Sequence, residues 1–114
     1  MKLYGIPNCN TVKKARTWLD EHGVEYDFRD YKKLGVDRAM LENWLEQMPW
    51  EKLINRAGTT WRGLDDAEKA GVIDNTSAAA LMIAKPSVIR RPVIVDGAHI
   101  LVVGFDSETY VSLF

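Results

Sequence analysis

The chain has 114 residues, 46% hydrophobic and 27% charged, which fits one domain with a hydrophobic core of its own. A net charge of −1 gives no global drive toward nucleic acid or an anionic membrane, so any anion site must be a local grouping of arginines and lysines. One cysteine excludes an internal disulfide, and one cysteine with two scattered histidines, His22 and His99, forms no zinc cluster. No stretch approaches the roughly 18 apolar residues of a membrane span, and Met1-Lys2-Leu3-Tyr4-Gly5 lacks a signal-peptide core. A cytoplasmic protein is expected.

Lys2 to Ile6 reads as a short buried strand, ended by the turn signals Gly5, Pro7 and Asn8. Val12, Ala15, Trp18 and Leu19 recur at helical spacing, and His22-Gly23 ends that helix. Val24, Tyr26 and Phe28 alternate within a second strand over Val24 to Tyr31. Strand, helix and strand in this order predict a βαβ unit with parallel pairing. Gly35 then punctuates the chain, and Asp37 is placed to cap a helix carrying Met40, Leu41, Trp44, Leu45 and Met48 on one stripe, closed by Pro49. Short helical pieces are expected near Trp50 to Ile54 and Thr60 to Leu64. Asn75-Thr76-Ser77 opens a helix whose Ala78-to-Ile83 run is apolar on most sides, hence buried, and Pro86 stops it.

Val88 to Val95 resumes the strand signal, Asp96-Gly97 is a hairpin pair, and His99 to Val103 is the returning strand. Asp106 caps a last helix with Tyr110, Leu113 and Phe114 facing inward. The reading is α/β: a mixed four-stranded sheet built as βαβ then ββα, with helices on both faces. A helical insertion lies between the halves, at about residues 33–85. No Gly/Ser/Pro-rich linker sets the insertion apart, so a single domain is expected.

The lone Cys9 stands where the first strand gives way to the first helix. A thiol at the positive end of a helix is favoured as thiolate, the nucleophilic form. Lys13, Lys14 and Arg16 follow at once, whereas Asp20 and Glu21 come at the far end, the reverse of what the helix dipole prefers. Such an inversion points to a place that holds negative charge, either the thiolate or an anionic substrate. Buried packing of a small apolar Cys side chain is the competing reading. Pro92, inside an apolar strand run, cannot donate to a ladder. It fits either a trans proline opening a strand or a cis bond at the mouth of a site.

With these residues together, the chain resembles the glutaredoxin-coupled arsenate reductases and the regulator Spx, the ArsC-like family of the thioredoxin fold. The likeness rests on Pro7-Asn8-Cys9-Asn10-Thr11 before the basic helix, on the helical insertion, and on Arg91-Pro92 before Val93-Ile94-Val95. Its YffB branch matches further at Thr59-Thr60-Trp61-Arg62, Ser77-Ala78-Ala79-Ala80-Leu81-Met82 and Gly104-Phe105. The resemblance implies that Cys9 is the nucleophile, Arg91 an oxyanion-binding arginine and Pro92 the cis-proline. Arg56 falls one residue from the place of a second arginine. Asn10 and Lys13 complete the substrate-binding set.

A third arginine of arsenate reductases would fall near Gly104, where this chain has none. That removes a charge-assisted contact worth about 1.5–3 kcal/mol. Val12 stands where the second cysteine of the Spx Cys-x-x-Cys switch would be. With a single thiol the chemistry needs an external one. The expected activity is a glutathione-dependent thiol reductase, with glutathione as co-substrate, glutathione or glutaredoxin as partner, a small thiol or oxyanion as substrate, no metal, and a monomeric protein. The alternatives are an arsenate reductase with an incomplete arginine cage and a non-enzymatic Spx-like binding module.

Overall fold

In the computed structural model, which describes residues Met1–Phe114, the chain forms two compact units. One comprises Met1–Leu34 with Arg91–Phe114, the other Gly35–Arg90.

The first unit holds a four-stranded mixed sheet of order β2-β1-β3-β4, with β1 Lys2–Gly5, β2 Asp27–Asp30, β3 Val93–Asp96 and β4 His99–Val103. β1 runs parallel to β2, β3 runs antiparallel to β1, and β4 antiparallel to β3, with a bulge between Ile94 and Val95. This is the βαβ–ββα arrangement expected from the sequence. α1 (Asn10–Glu21) makes the crossover between the parallel strands, and α2 (Tyr31–Leu34) is a single turn after β2.

The α1 stripe Val12, Ala15 and Leu19 packs with Leu3 of β1, Ile94 of β3 and Tyr110 of the last helix, α8 (Ser107–Leu113), all fully buried. Trp18, Phe105 and Phe114 surround the Tyr110 ring at centroid distances of 5.4, 4.9 and 5.5 Å in edge-on geometry, the arrangement that aromatic quadrupoles favour. Asp106 caps α8 by accepting from the Thr109 N–H at 3.1 Å and its hydroxyl at 2.7 Å. Leu113, expected to face inward, is 42% exposed; the short helix buries Tyr110 instead.

The strands are shorter than the alternation predicts. β2 begins only at Asp27, and Val24 is taken by the end of α1: Gly23, at φ +67°, donates to Asp20 O and Val24 N–H to Leu19 O. That is the paired bonding of a Schellman motif. Tyr31, taken as the tail of the strand, opens α2, whose turn is held by the Lys32 and Lys33 N–H groups on the Asp30 carboxylate. Val88 to Pro92 are likewise outside β3. The hairpin loop is Gly97-Ala98, flanked by the paired Asp96 and His99. Gly97 has φ +60° and Ala98 is not in the positive region, which fits a type II′ turn, where only the first central residue needs that freedom.

The second unit is helical. α3 (Arg38–Gln47) buries Leu41, Trp44 and Leu45, and α7 (Asn75–Ala84) buries Ala78, Ala79 and Met82. The Asn75 amide donates to Leu45 O at 3.4 Å. α4 (Trp50–Leu53) and α5 (Thr59–Arg62) match the expected short pieces. α6 (Asp66–Ala70) was not expected. Asp37 occupies the N-cap of α3 without a side-chain capping bond. Asn75-Thr76-Ser77 opens α7 as expected, with Ser77 closing a capping box with the N-cap Asp74. The apolar run of α7 is not buried all round, since Ala80 and Ile83 are exposed. Beyond α7, Pro86–Val88 form a 3-10 turn, Ile89 bridges to Ile54, and Arg90 N–H donates to Leu53 O at 2.7 Å. Those bonds hold Val88 to Arg90 within this unit, so β3 begins only after Pro92. No helix is long and apolar enough to cross a membrane.

Candidate active site

The sheet register places one end of every strand together in the first unit. Gly5 at the end of β1 pairs with Asp30 at the end of β2, Tyr4 pairs with Val93 at the start of β3, and Val93 with Val103 at the end of β4. The segments leaving or entering that end carry Cys9, Tyr31, Arg91-Pro92 and Gly104.

Cys9 is the N-cap residue of α1, extended at φ −105° and ψ 124°, and its thiol is half-buried. The first turn of α1 has no acidic residue and its last turn no basic one, so the charge inversion noted in the sequence persists in the helix. The sulfur makes no standard capping hydrogen bond, but it lies within the influence of the first-turn N–H groups and of Arg91. Partial burial pushes the thiol pKa up. The Val12 N–H, the hydrogen bond and positive charge of Arg91, and the Thr11 N–H outweigh it and hold the thiol below its ordinary value.

Arg91 reaches Cys9 from the segment before β3 and also hydrogen-bonds the Tyr31 phenol. Tyr31 is 1% exposed; burial pushes its pKa up to about 12 against the opposing influence of Arg91, so the phenol is neutral at physiological pH. For Arg91, burial works against the charged form, and the contacts to Cys9 and Tyr31 more than restore it, so the guanidinium stays charged. The Arg91–Pro92 peptide is cis and Pro92 is buried. The Pro92 carbonyl accepts from Gly104 N–H at 2.7 Å, and the Gly104 carbonyl accepts from the Tyr110 hydroxyl at 2.7 Å. Thus α8 buttresses the turn that carries Arg91.

Of the other residues singled out from sequence, Asn10 is exposed in the first turn of α1, and Lys13 is exposed one turn on, its N–H bonded to Cys9 O at 2.9 Å. The Lys13 side chain lines a shallow hollow with Lys14, Thr17, Trp18, Glu21 and Phe105. Arg56 belongs to the second unit, where it is exposed and its guanidinium carbon lies 5.5 Å from the centroid of the Trp50 ring. No group of three His, Cys, Asp or Glu side chains is arranged to hold a metal.

Sequence reasoning missed Tyr31. The available signal was topological: residues just beyond the carboxyl ends of parallel strands face the usual ligand position of an open α/β sheet, and Tyr31 directly follows β2 as Cys9 follows β1.

The sequence model of the ArsC family matches residues 4–113. The chain belongs to the ArsC family. The solved structure of a YffB protein is 51% identical, covers 98% of this chain and 96% of its own, and superposes with a TM-score of 0.91. An arsenate reductase (ArsC) related protein from Brucella melitensis is 46% identical over 97% of this chain and 91% of its own, with a TM-score of 0.78. The global transcriptional regulator Spx of Streptococcus pyogenes is 29% identical over 111 residues, 93% of this chain and 78% of the regulator. With such neighbours the βαβ–ββα sheet is that of an ArsC-family, thioredoxin-like domain.

Proposed function

We propose that this ArsC-family protein is a glutathione-dependent thiol reductase that works through a mixed disulfide at Cys9. The observation that carries the reading is the thiol at the N-terminus of α1, half-exposed, with Arg91 and the Val12 and Thr11 N–H groups lowering its pKa. The Cys9 thiolate attacks a glutathionylated thiol, RS–SG. The new Cys9–SG bond forms, the RS–S bond breaks, and RS⁻ leaves to take a proton from solvent. A second glutathione thiolate then attacks the Cys9 disulfide, releasing glutathione disulfide and restoring the Cys9 thiolate. The sum is RS–SG + GSH → RSH + GSSG: the incoming glutathione is oxidised to the disulfide, the substrate sulfur is reduced to the thiol, and the glutathionyl group passes from one disulfide to the next. Both steps expel a thiolate, and the helix N-terminus and Arg91 stabilise that charge. Arg91 is the cation that acts on Cys9 and would hold a peptide carboxylate, with Asn10 next to the thiol in the chain. Lys13, whose side chain lines the hollow with Trp18 and Phe105, is the second candidate.

The relationship to an arsenate reductase related protein favours a second reading, in which an arsenic oxyanion is the substrate. Against it stands Gly104, where the third arginine is missing. Its φ of +89° is one that L side chains rarely adopt, although a Cβ there meets nothing within 4 Å. The cage is therefore not one substitution from complete. The discriminating experiment is mass spectrometry of the intact protein after incubation with glutathione disulfide, or with arsenate plus reduced glutathione. The first reading predicts a single glutathione adduct from the disulfide, absent in Cys9→Ser and formed about tenfold more slowly in Arg91→Ala, with none from the arsenate mixture. An adduct from the arsenate mixture selects the second reading. Failure of glutathione disulfide to modify the wild-type protein overturns the first.

A further inference from the structure

The sheet register brings three segments to one end of the sheet: the start of α1 with Cys9 after β1, the α2 turn with Tyr31 after β2, and the lead into β3 with Arg91. The Arg91 guanidinium acts there on both the Tyr31 phenol and the Cys9 thiol. Tyr31 shows almost no surface, so substrate does not reach it, and its position is fixed by α2 and by the Asp30 carboxylate that caps that turn. Arg91, by contrast, lies on a loop segment between an isolated bridge at Ile89 and the start of β3. A long side chain on such a segment has many rotamers, and its charge serves the thiolate only in those that reach the sulfur.

We propose that Tyr31 is a positioning residue of the thiolate site, its buried phenol oxygen holding the planar Arg91 guanidinium so that another N–H of the fork points at Cys9. The proposal rests on the reading of Cys9 as the working thiol and adds to it the group that aims the arginine. A planar guanidinium suits the task, since its N–H groups diverge in a fixed fork and two acceptors fix its plane. The charged and titratable groups bearing on this chain are Arg91 and Cys9 themselves and Asp30, next to Tyr31 in sequence. Without the phenol oxygen, a half-buried N–H loses its acceptor, and the guanidinium regains hydration by turning outward, away from the sulfur.

The test is the rate of Cys9 alkylation by iodoacetamide between pH 5 and 10 in the wild type, Tyr31→Phe, Arg91→Ala and the double variant. Phenylalanine keeps the ring that fills the buried position, and circular dichroism checks that each variant is folded. The expected result is a pH profile displaced upward in Tyr31→Phe, with labelling at pH 7 slower by about threefold and an unchanged limiting rate at high pH. In the Arg91→Ala background the same substitution changes the rate at pH 7 by less than about 1.5-fold, because the tyrosine no longer has anything to aim. Unchanged or faster labelling in Tyr31→Phe overturns the proposal. So does equal slowing in both backgrounds, which would mean that the phenol acts through packing. The assay contains no glutathione. An intact cycle in a protein that glutathione disulfide does not modify would leave the positioning role standing and remove the glutathione reading alone.

Discussion

At the scale of single residues, one guanidinium acts on one thiol, and on the proposed reading the nature of that cation sets how far the thiol pKa falls. Lysine carries the same charge as arginine but only as a point, with no fork to engage the phenol and the thiolate at once. Arg91→Lys is therefore expected to keep part of the Coulombic effect on Cys9 and to lose the bridge to Tyr31. Its alkylation midpoint should fall between those of the wild type and Arg91→Ala, a result that pH-dependent labelling reads directly. A midpoint equal to that of the wild type would show that charge alone suffices. Cys9 and Pro92 stood out in the sequence because each sits where a local rule is broken, the cysteine before a helix whose charges run against its dipole and the proline inside a strand run. Arg91 was reached only through the family resemblance, as the residue before that proline. Tyr31 breaks no rule. It follows Asp30 at the end of the strand run, out of phase with Val24, Tyr26 and Phe28, and reads as one more residue of that run until β2 ends at Asp30.

At the scale of elements, the position of α1 against β1 depends on Gly5. A Cβ built there meets Val12 Cγ2 at 2.9 Å and Cγ1 at 3.2 Å. Val12 is fully buried and supplies one of the N–H groups that act on the Cys9 sulfur. Gly5→Ala must therefore push the first turn of α1 off the sheet or force Val12 from its rotamer. The expected cost is about 1–3 kcal/mol, typical of overpacking a filled core, measurable as a lower urea midpoint. The same variant should label more slowly with iodoacetamide at pH 7, since the displaced turn carries the Val12 N–H; a loss of stability with an unaltered labelling profile would uncouple the two. Element-level reading succeeded where apolar spacing was long, as in α1, α3 and α7. It failed at α6, whose five residues bury nothing and so leave no periodic trace. The Asp65-x-x-Glu68 capping box that starts α6 is nonetheless present in the sequence, with Glu68 N–H donating to Asp65 at 2.7 Å. Strand ends were misjudged for a related reason. Hydrophobic runs continue past the ladder into residues whose backbone bonds go elsewhere, such as Val24 to the cap of α1 and Ile89 to Ile54.

For the molecule as a whole, the order of strands and helices was legible because each half alternates strand and helix signals and parallel crossovers have one hand. The bulge at Ile94 and Val95 left no sequence mark, since both residues are apolar and buried. A thiolate held by the fold also ties the stability of the protein to pH. The Cys9 thiol has its pKa lowered in the folded protein, against about 8.5 in an unfolded chain. Between those two values the unfolded chain binds more protons, so stability rises with pH. The contribution is complete above about pH 8.5–9 and is lost as pH falls through the folded value. Serine cannot supply it. The melting temperature of the wild type, measured against that of Cys9→Ser, should therefore gain steadily from pH 6 to pH 9. Measurements stop there because Tyr31, pushed up to about 12 in the fold, ionises near pH 10 when unfolded and then draws stability in the opposite direction. A difference between wild type and Cys9→Ser that stays flat across pH 6–9 would mean that the folded protein does not prefer the thiolate, and the chemistry assigned to Cys9 would lose its physical basis.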